Sequence, residues 1–491
     1  MASHDPLYLQ IAESIADSIR AGALVRGERL HSVRDVARTR GVSMATAVQA
    51  YRSLEDVRLI EARPRSGYFV VGRPAALPEP ETSRPPAKSQ RVDVGALAAT
   101  VMRMAREPGV VSFGAACPES ALFDVERVRR AMNRAVTRHR TTLCQYPHGP
   151  GDEQLRRAIA RHALTLGCAL DPSDVLITSS CLEAITLCLR AVCEPGDVVA
   201  LESPCYFGFL EILENLHLRA LEIPTHPRTG ISLDALQLAF DTQPVKAVLT
   251  VPTLSNPVGA CMPLADRQRL AHMVAERGVP LIEDVIYNGL AEQEERRRAV
   301  RSYDSSGLVM MCGSFSKTIA PGLCLGWLDA GRWRDKLERL KAATTGGQAT
   351  FMERAMADLL NQTGNEASLR RLRNTIAARI DEARGLIAQS FPAGTRVTDP
   401  PGGFILWLEL PKELDSVALY EACLAEGICI APGTMFSATD RFRHCVRLGL
   451  GGLWDDAHRK GLRRIGQLAC TMLAAKKGKA GTVVTPMPVT G

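Results

Sequence analysis

The sequence predicts an α/β protein in which a small, mostly helical N-terminal unit precedes a large body of alternating strands and helices. Three observations carry that reading. Apolar residues recur at helical spacing over the first 55 residues, as in Ile11, Ile15 and Ile19. From about residue 108 to 475, short apolar runs alternate with helix-period segments. Between them, Arg73 to Arg91 holds Pro74, Pro78, Pro80, Pro85 and Pro86 with few large apolar residues, the composition of a semi-extended linker. The predicted division is 1–72, a linker over 73–107, a body over 108–475 and a loose basic tail over 476–491. At roughly 150 residues per domain, 491 residues suggest about three folding units. A balance of 46 % hydrophobic and 23 % charged residues excludes a disordered or fibrous chain. No apolar run is long enough to span a membrane, and Met1 to Pro6 lacks a secretory pattern, so a cytoplasmic protein is expected.

The net charge of +7 is unevenly placed. Residues 1–76 hold eleven Arg against eight acids, and the tail adds Lys476, Lys477 and Lys479 without an acid. A basic N-terminal unit suits nucleic acid, although solvated surfaces carry such charge too. The 14 Cys are scattered, with no C-x-x-C and no adjoining His cluster. Neither a disulfide framework nor a metal site is expected, and most thiols should be buried.

In the N-terminal unit a first helix is followed by Gly22 and Gly27 in a turn. Ser32 stands three residues before Asp35, capping a short second helix from Val33 to Arg40. After Gly41-Val42-Ser43, a third helix turns Val48, Tyr51 and Leu54 inward and leaves Met44, Ala45, Thr46, Gln49 and Arg52 to solvent. Two short helices about a glycine turn make a helix-turn-helix, whose second helix fits the major groove. Leu59 to Ala62 and Tyr68 to Val71 read as a hairpin with Gly67 near its tip. Local pattern alone leaves open an Arg-rich three-helix packing module.

In the body, Gly313-Ser314-Phe315-Ser316-Lys317 follows the apolar strand Leu308 to Cys312. A lysine there, beside two hydroxyls, can form a Schiff base with a carbonyl cofactor while the hydroxyls take a phosphate. A lysine after a strand is also commonly a solvated residue, so other elements must agree. The strand from Val279 ends in Asp284, suited to a pyridinium nitrogen or to a helix N-cap. Ala247 to Val251 leads to Asn256, a donor for a phenolate oxygen or an Asx-turn residue. Val175 to Thr178 runs into Ser179-Ser180-Cys181 and a helix, which presents amides and a dipole to an anion. Val198 to Leu201 places Tyr206 at a strand end.

The N-terminal stretch from Pro6 to Val70 closely resembles the GntR-type winged helix-turn-helix. Residues 108–475 resemble the fold-type I pyridoxal 5'-phosphate enzymes, the aspartate aminotransferase-like group with a large and a small domain. Together they resemble the MocR subfamily of GntR regulators. The resemblance implies that Arg34 meets phosphate, that Ser43, Met44, Ala45 and Thr46 open the recognition helix, and that Gly67 lies at the wing tip of a double-stranded DNA-binding domain. It further implies that Lys317 holds the cofactor as a Schiff base, and that Asp284 pairs with the ring nitrogen. Asn256 and Tyr287 would meet the phenolic oxygen, while Tyr206 stacks on the ring. Ser314, Ser316 and the amides of Ser180 and Cys181 would bind the phosphate. Tyr146 would reach the partner subunit's phosphate in a homodimer, and Arg447 would grip an α-carboxylate. His31, Asp56-Val57 and Met44 depart from the family pattern. Met44 replaces a common arginine, so DNA binding is expected to be weaker or to need two copies. Cys324 replaces the arginine that neutralises the cofactor phosphate, and Ser180 replaces a glycine and should crowd the phosphate. The function implied is a cofactor-dependent transcription regulator that senses an amine, an amino acid or the cofactor itself. The alternatives are an aminotransferase with a vestigial winged domain, and a regulator that has lost the cofactor.

Overall fold

In the computed structural model, the described residues are 6–20, 23–25, 27–56, 59–63, 66–71, 77–92 and 95–480. The chain divides into two compact units, Met1–Ala76 and Leu77–Gly491.

The first unit contains α1 (Leu7–Arg20), α2 (Val33–Arg40), α3 (Met44–Asp56) and an antiparallel hairpin of β1 (Ile60–Arg63) with β2 (Gly67–Val70). Ser32 caps α2, its Oγ accepting from the Asp35 amide, and Gly41 ends the helix at φ +63°. Ile11, Ala16, Val36, Ala47, Ala50, Tyr51, Leu54, Ile60 and Val70 form its core. Val48 is only half-buried, because the tight crossing of α1 and α3 selects the small Ala47 and Ala50 for the centre of the inward face. Tyr51 Oη donates to the His31 carbonyl at 2.6 Å, tying α3 to the turn before α2. Gly67 sits at φ +98° where the hairpin turns, but Pro64 and Arg65 of the expected wing tip lie outside the described residues.

The second unit is built on a nine-stranded sheet, counted among the described residues. Its main strands in chain order are β3 (Gln90–Arg91), β4 (Val175–Thr178), β5 (Val198–Ser203), β6 (Arg219–His226), β7 (Val245–Thr250), β8 (Leu281–Asp284), β9 (Val309–Ser314) and β10 (Gly326–Asp329). They lie in the order β3-β6-β5-β7-β8-β9-β10-β4. From β6 to β9 neighbours are parallel, whereas β10 runs antiparallel to both β9 and β4. The parallel strands are apolar and wholly buried along most of their length, as sheets covered on both faces require. A smaller lobe carries a four-stranded sheet that includes Ile405–Glu409 and Cys445–Gly449.

Two expected segments differ. The proline-rich stretch is not a free tether from residue 77 onward. It is extended, but its polar groups bond to the body, β3 joins the sheet edge, and Leu97–Met104 is a helix with Ala98 and Val101 buried. The expected tail also begins later, because the helix Asp456–Ala480 runs through Lys476, and residues 481–491 lie outside the described residues. Ten of the fourteen cysteines are buried and all are free. Among the described residues no helix is long and apolar enough to cross a membrane, and no group of His, Cys, Asp and Glu is arranged to hold a metal.

Candidate functional site

The carboxyl ends of β4, β5, β7, β8 and β9 supply the loops that wall a cavity of about 190 Å³. Lys317, Asp284, Arg447, Asn256, Tyr287, Tyr206, Ser314, Ser316, Ser180 and Cys181 all line it. Residues scattered over nearly 270 positions are thereby brought to one site.

Asp284 is buried and accepts from the Ile286 amide at 2.9 Å and from the Cys181 thiol at 3.3 Å, both on Oδ1. Burial pushes its carboxyl up to about 6, against the lowering effect of those donors and of Lys317. Lys317 Nζ donates to the Ala116 carbonyl at 3.0 Å and lies 3.4 Å from Cys117 Sγ. Asn256 Nδ2 points at Tyr287 Oη at 3.4 Å, so this amide faces the site instead of closing an Asx-turn. Burial raises the Tyr287 phenol and pushes Tyr206 up to about 12, so both carry their protons at neutral pH.

Arg447 is 1 % exposed. It reaches Asn256 Oδ1 at 3.5 Å, donates to the Gly114 carbonyl and lies over the Phe436 ring at 5.2 Å. No carboxylate pairs with it among the described residues, and its Nε has no hydrogen-bond partner. A buried guanidinium left without a counter-charge is a receptor for an anion, and the planar fork suits a carboxylate.

The cavity also gathers hydroxyl and amide donors. Ser314 Oγ donates to Ser316 Oγ at 2.7 Å and accepts from the Ser316 amide at 3.0 Å. The helix Cys181–Val192 starts beside them, so its free amides and positive dipole end face the cavity. Ser180 stands at the N-cap of this helix. Its side chain turns to cap the helix, accepting from the Glu183 amide at 3.1 Å. The close approach falls on Gly326 of β10, where a Cβ would lie 2.3 Å from the Ser180 carbonyl carbon. Cys324 is exposed, at φ +48°, and does not line the cavity. Among the described residues the cations lining the cavity are therefore Lys317 and Arg447, and the hydroxyls of Ser314 and Ser316 are neutral. A lysine amine, a buried acid with a raised pKa, a hydroxyl-and-amide cradle and an unpaired arginine together fit pyridoxal phosphate and a ligand carboxylate.

Tyr146 stands apart. It is 87 % exposed, lies outside the cavity and stacks on His148. Its loop is nevertheless anchored, because the buried Lys341 donates to the Gly149 carbonyl at 3.0 Å. The cavity groups that escaped the sequence reading include the Ala116 carbonyl with Cys117, the Cys181 thiol as an Asp284 donor, and Met102 from the segment predicted as linker. The small-residue run Gly114-Ala115-Ala116 before Cys117 is the available signal for the first. A second cavity of about 620 Å³ shares Ser314 and Ile286 with this one. Its Arg297 and Arg373 converge on Glu366 and on backbone carbonyls, a structural use of their charge.

In the first unit, Arg34, Ser43, Met44 and Ala45 lie at the amino-terminal turns of α2 and α3, with Met44 and Ala45 exposed to solvent. Ser43 Oγ caps α3 by accepting from the Thr46 amide at 3.1 Å. Arg63 of the hairpin is held against Phe69 at 4.3 Å and paired with Glu61.

Comparison with known proteins matches two families along the chain. The family "Aminotransferase class I and II" matches residues 111–450, and "Bacterial regulatory proteins, gntR family" matches residues 7–70. The chain is 34 % identical to YjiR of Escherichia coli (strain K12), an uncharacterized HTH-type transcriptional regulator, over 94 % of this chain and 98 % of that one. It is 28 % identical to the 2-aminoadipate transaminase of Thermus thermophilus, over 76 % of this chain and 94 % of the enzyme. Among solved structures, LysN, the alpha-aminoadipate aminotransferase from Thermus thermophilus complexed with N-(5'-phosphopyridoxyl)-L-leucine, superposes with a TM-score of 0.72 at 27 % identity. That match covers 78 % of this chain and 97 % of LysN.

Proposed function

We propose, from the premise that the chain belongs to the aminotransferase class I and II family and carries a gntR-family domain in front, that it is a MocR-type transcription regulator. In this reading residues 1–72 bind double-stranded DNA, and residues 108–475 bind pyridoxal 5'-phosphate and an amino acid or other small amine. The observation that carries it is one chain holding both an intact helix-turn-helix with an exposed recognition-helix start and a cavity where Lys317, Asp284 and Arg447 converge. When bound, pyridoxal phosphate supplies an aldehyde that captures amines reversibly.

The chain's own residues divide the remaining work. Lys317 presents its amine from the end of β9, oriented by the Ala116 carbonyl. Asp284 keeps a negative charge available for a ring nitrogen, held by the Ile286 amide and the Cys181 thiol. Arg447 takes a ligand carboxylate, and the exposed, anchored Tyr146 is offered to a partner subunit, which implies a homodimer. Two copies of the first unit then address two half-sites. A second reading, residual transamination, is favoured by the same convergence of Lys317, Asp284 and Arg447.

The test is a titration of the full chain with pyridoxal phosphate followed by visible absorbance, with Lys317→Ala as control. The reading expects a protein-bound visible band that the variant lacks. A chain that produces no band, or one unaltered by the substitution, overturns it.

A further inference from the structure

Cys117 lines the cavity and has no part in the function proposed above. It closes the run Gly114-Ala115-Ala116-Cys117 and precedes Pro118, whose ring restricts the backbone before it. The run is clamped at both ends. The Phe113 amide donates to the Cys429 carbonyl and the Phe113 carbonyl accepts from the Gly449 amide, each at 2.8 Å. The Glu119 amide donates to the Gly451 carbonyl at 2.9 Å, and Arg447 holds the Gly114 carbonyl between them. The thiol is thereby fixed against Lys317, whose amine meets two successive residues, the Ala116 carbonyl at 3.0 Å and Cys117 Sγ at 3.4 Å.

We propose that Cys117 and Lys317 are a modification site, joined by a sulfur–nitrogen bond when hydrogen peroxide reaches the cavity before the cofactor does. The bond stands on the contact itself; its effect on the cofactor rests on the role proposed for Lys317. The Cys117 thiolate attacks one peroxide oxygen, so that a sulfur–oxygen bond forms, the oxygen–oxygen bond breaks, and the released hydroxide leaves as water with the thiol proton. Sulfur gives up an electron pair and the peroxide takes it. The unprotonated Lys317 amine then attacks that sulfur. The nitrogen–sulfur bond forms as the sulfur–oxygen bond breaks, and a second water carries away the hydroxyl and one amine proton. A nitrogen already in contact makes this step intramolecular, an advantage that further oxidation by free peroxide lacks. Thiols reverse the bond: one attacks the sulfur and frees the amine, and another releases Cys117 as the external disulfide forms.

The other thiols lack this arrangement. Of the four exposed cysteines, Cys117 has the lysine amine in contact, whereas Cys324 and Cys470 donate to the backbone carbonyls of Pro321 and Ser390. Cys181 shares the cavity but is buried, donates to Asp284, and is pushed well above the ordinary thiol range by that burial. It stays protonated and resists the oxidant that attacks Cys117. An amine bonded to sulfur cannot take up an aldehyde, so the oxidant and pyridoxal phosphate compete for one nitrogen.

The test treats the full chain with hydrogen peroxide, with and without prior loading with pyridoxal phosphate, and then removes the oxidant. Peptide mass spectrometry should find the Cys117 and Lys317 peptides joined, with the loss of two hydrogen atoms, in the unloaded parent. The joined species should be absent from Cys117→Ser and Lys317→Ala, reversed by dithiothreitol, and several-fold less abundant after prior loading. Titrating the treated, unloaded parent with pyridoxal phosphate should give a visible band several-fold weaker than before treatment, restored by dithiothreitol. In Cys117→Ser, treatment should leave the band at that variant's own untreated level. A Cys117 peptide that gains oxygen while Lys317 stays free overturns the cross-link. Equal cross-linking with and without prior loading overturns the competition for Lys317. An untreated parent with no visible band overturns the cofactor reading, and the mass measurement then decides the cross-link by itself.

Discussion

At the residue scale, two positions bear on the proposed cofactor site. The resemblance puts a phosphate-neutralising arginine at Cys324, which is exposed and outside the cavity, and among the described residues the cations lining that cavity are Lys317 and Arg447. A charge-assisted hydrogen bond contributes about 1.5–3 kcal/mol, so Cys324→Arg should tighten pyridoxal phosphate roughly tenfold or more, read by absorbance titration. Asp284 has the opposite problem, a buried carboxyl without a cation fixed to it. Its folded pKa of about 6 lies above the ordinary value, so its stabilising contribution is full below about pH 4 and is lost as pH rises through 6. In the cofactor-free chain, Asp284→Asn should therefore raise stability at pH 8 by about 2–3 kcal/mol and leave it unchanged near pH 4. Thermal melts at the two pH values check the sign. The same variant should lose tight cofactor binding.

At the element scale, strand ends are legible in the sequence and crossings are not. The apolar runs ending in Thr178, Asp284 and Ser314 announce buried strands, because a parallel sheet covered on both faces needs continuous apolar sequence. The polar residues that follow announce the site. The approach of Gly326 to Ser180 depends on β10 lying antiparallel beside β4, a pairing between residues about 150 apart that no local pattern encodes. Gly326→Ala should force β10 from the helix start and weaken cofactor binding at least tenfold, with a lowered melting temperature. The docking of residues 77–91 is hidden for the same reason, since its partners Arg228, Arg396 and Glu409 lie far along the chain. In the N-terminal unit, Tyr51 is legible as core, but its hydroxyl bond to His31 is not. Tyr51→Phe should cost that unit about 1 kcal/mol, measured by denaturant unfolding.

At the scale of the whole molecule, the uneven charge acquires a use. The arginine-rich first unit presents Arg34 and the first turn of α3, while half-buried arginines of the body such as Arg301, Arg354 and Arg379 are paired with carboxylates. The proposed homodimer would give the exposed Tyr146 on its anchored loop a use at the cavity of a second copy. Mixing Tyr146→Ala with Lys317→Ala chains, each defective alone, should restore cofactor binding to part of the sites through hybrid dimers. The central claim is that DNA binding responds to chemistry at Lys317. It is tested most directly by the affinity of the full chain for DNA from upstream of its own gene, with and without pyridoxal phosphate, in the parent and in Lys317→Ala. The account predicts a several-fold shift in the parent and none in the variant; an equal response in both, or no response in the parent, would contradict it.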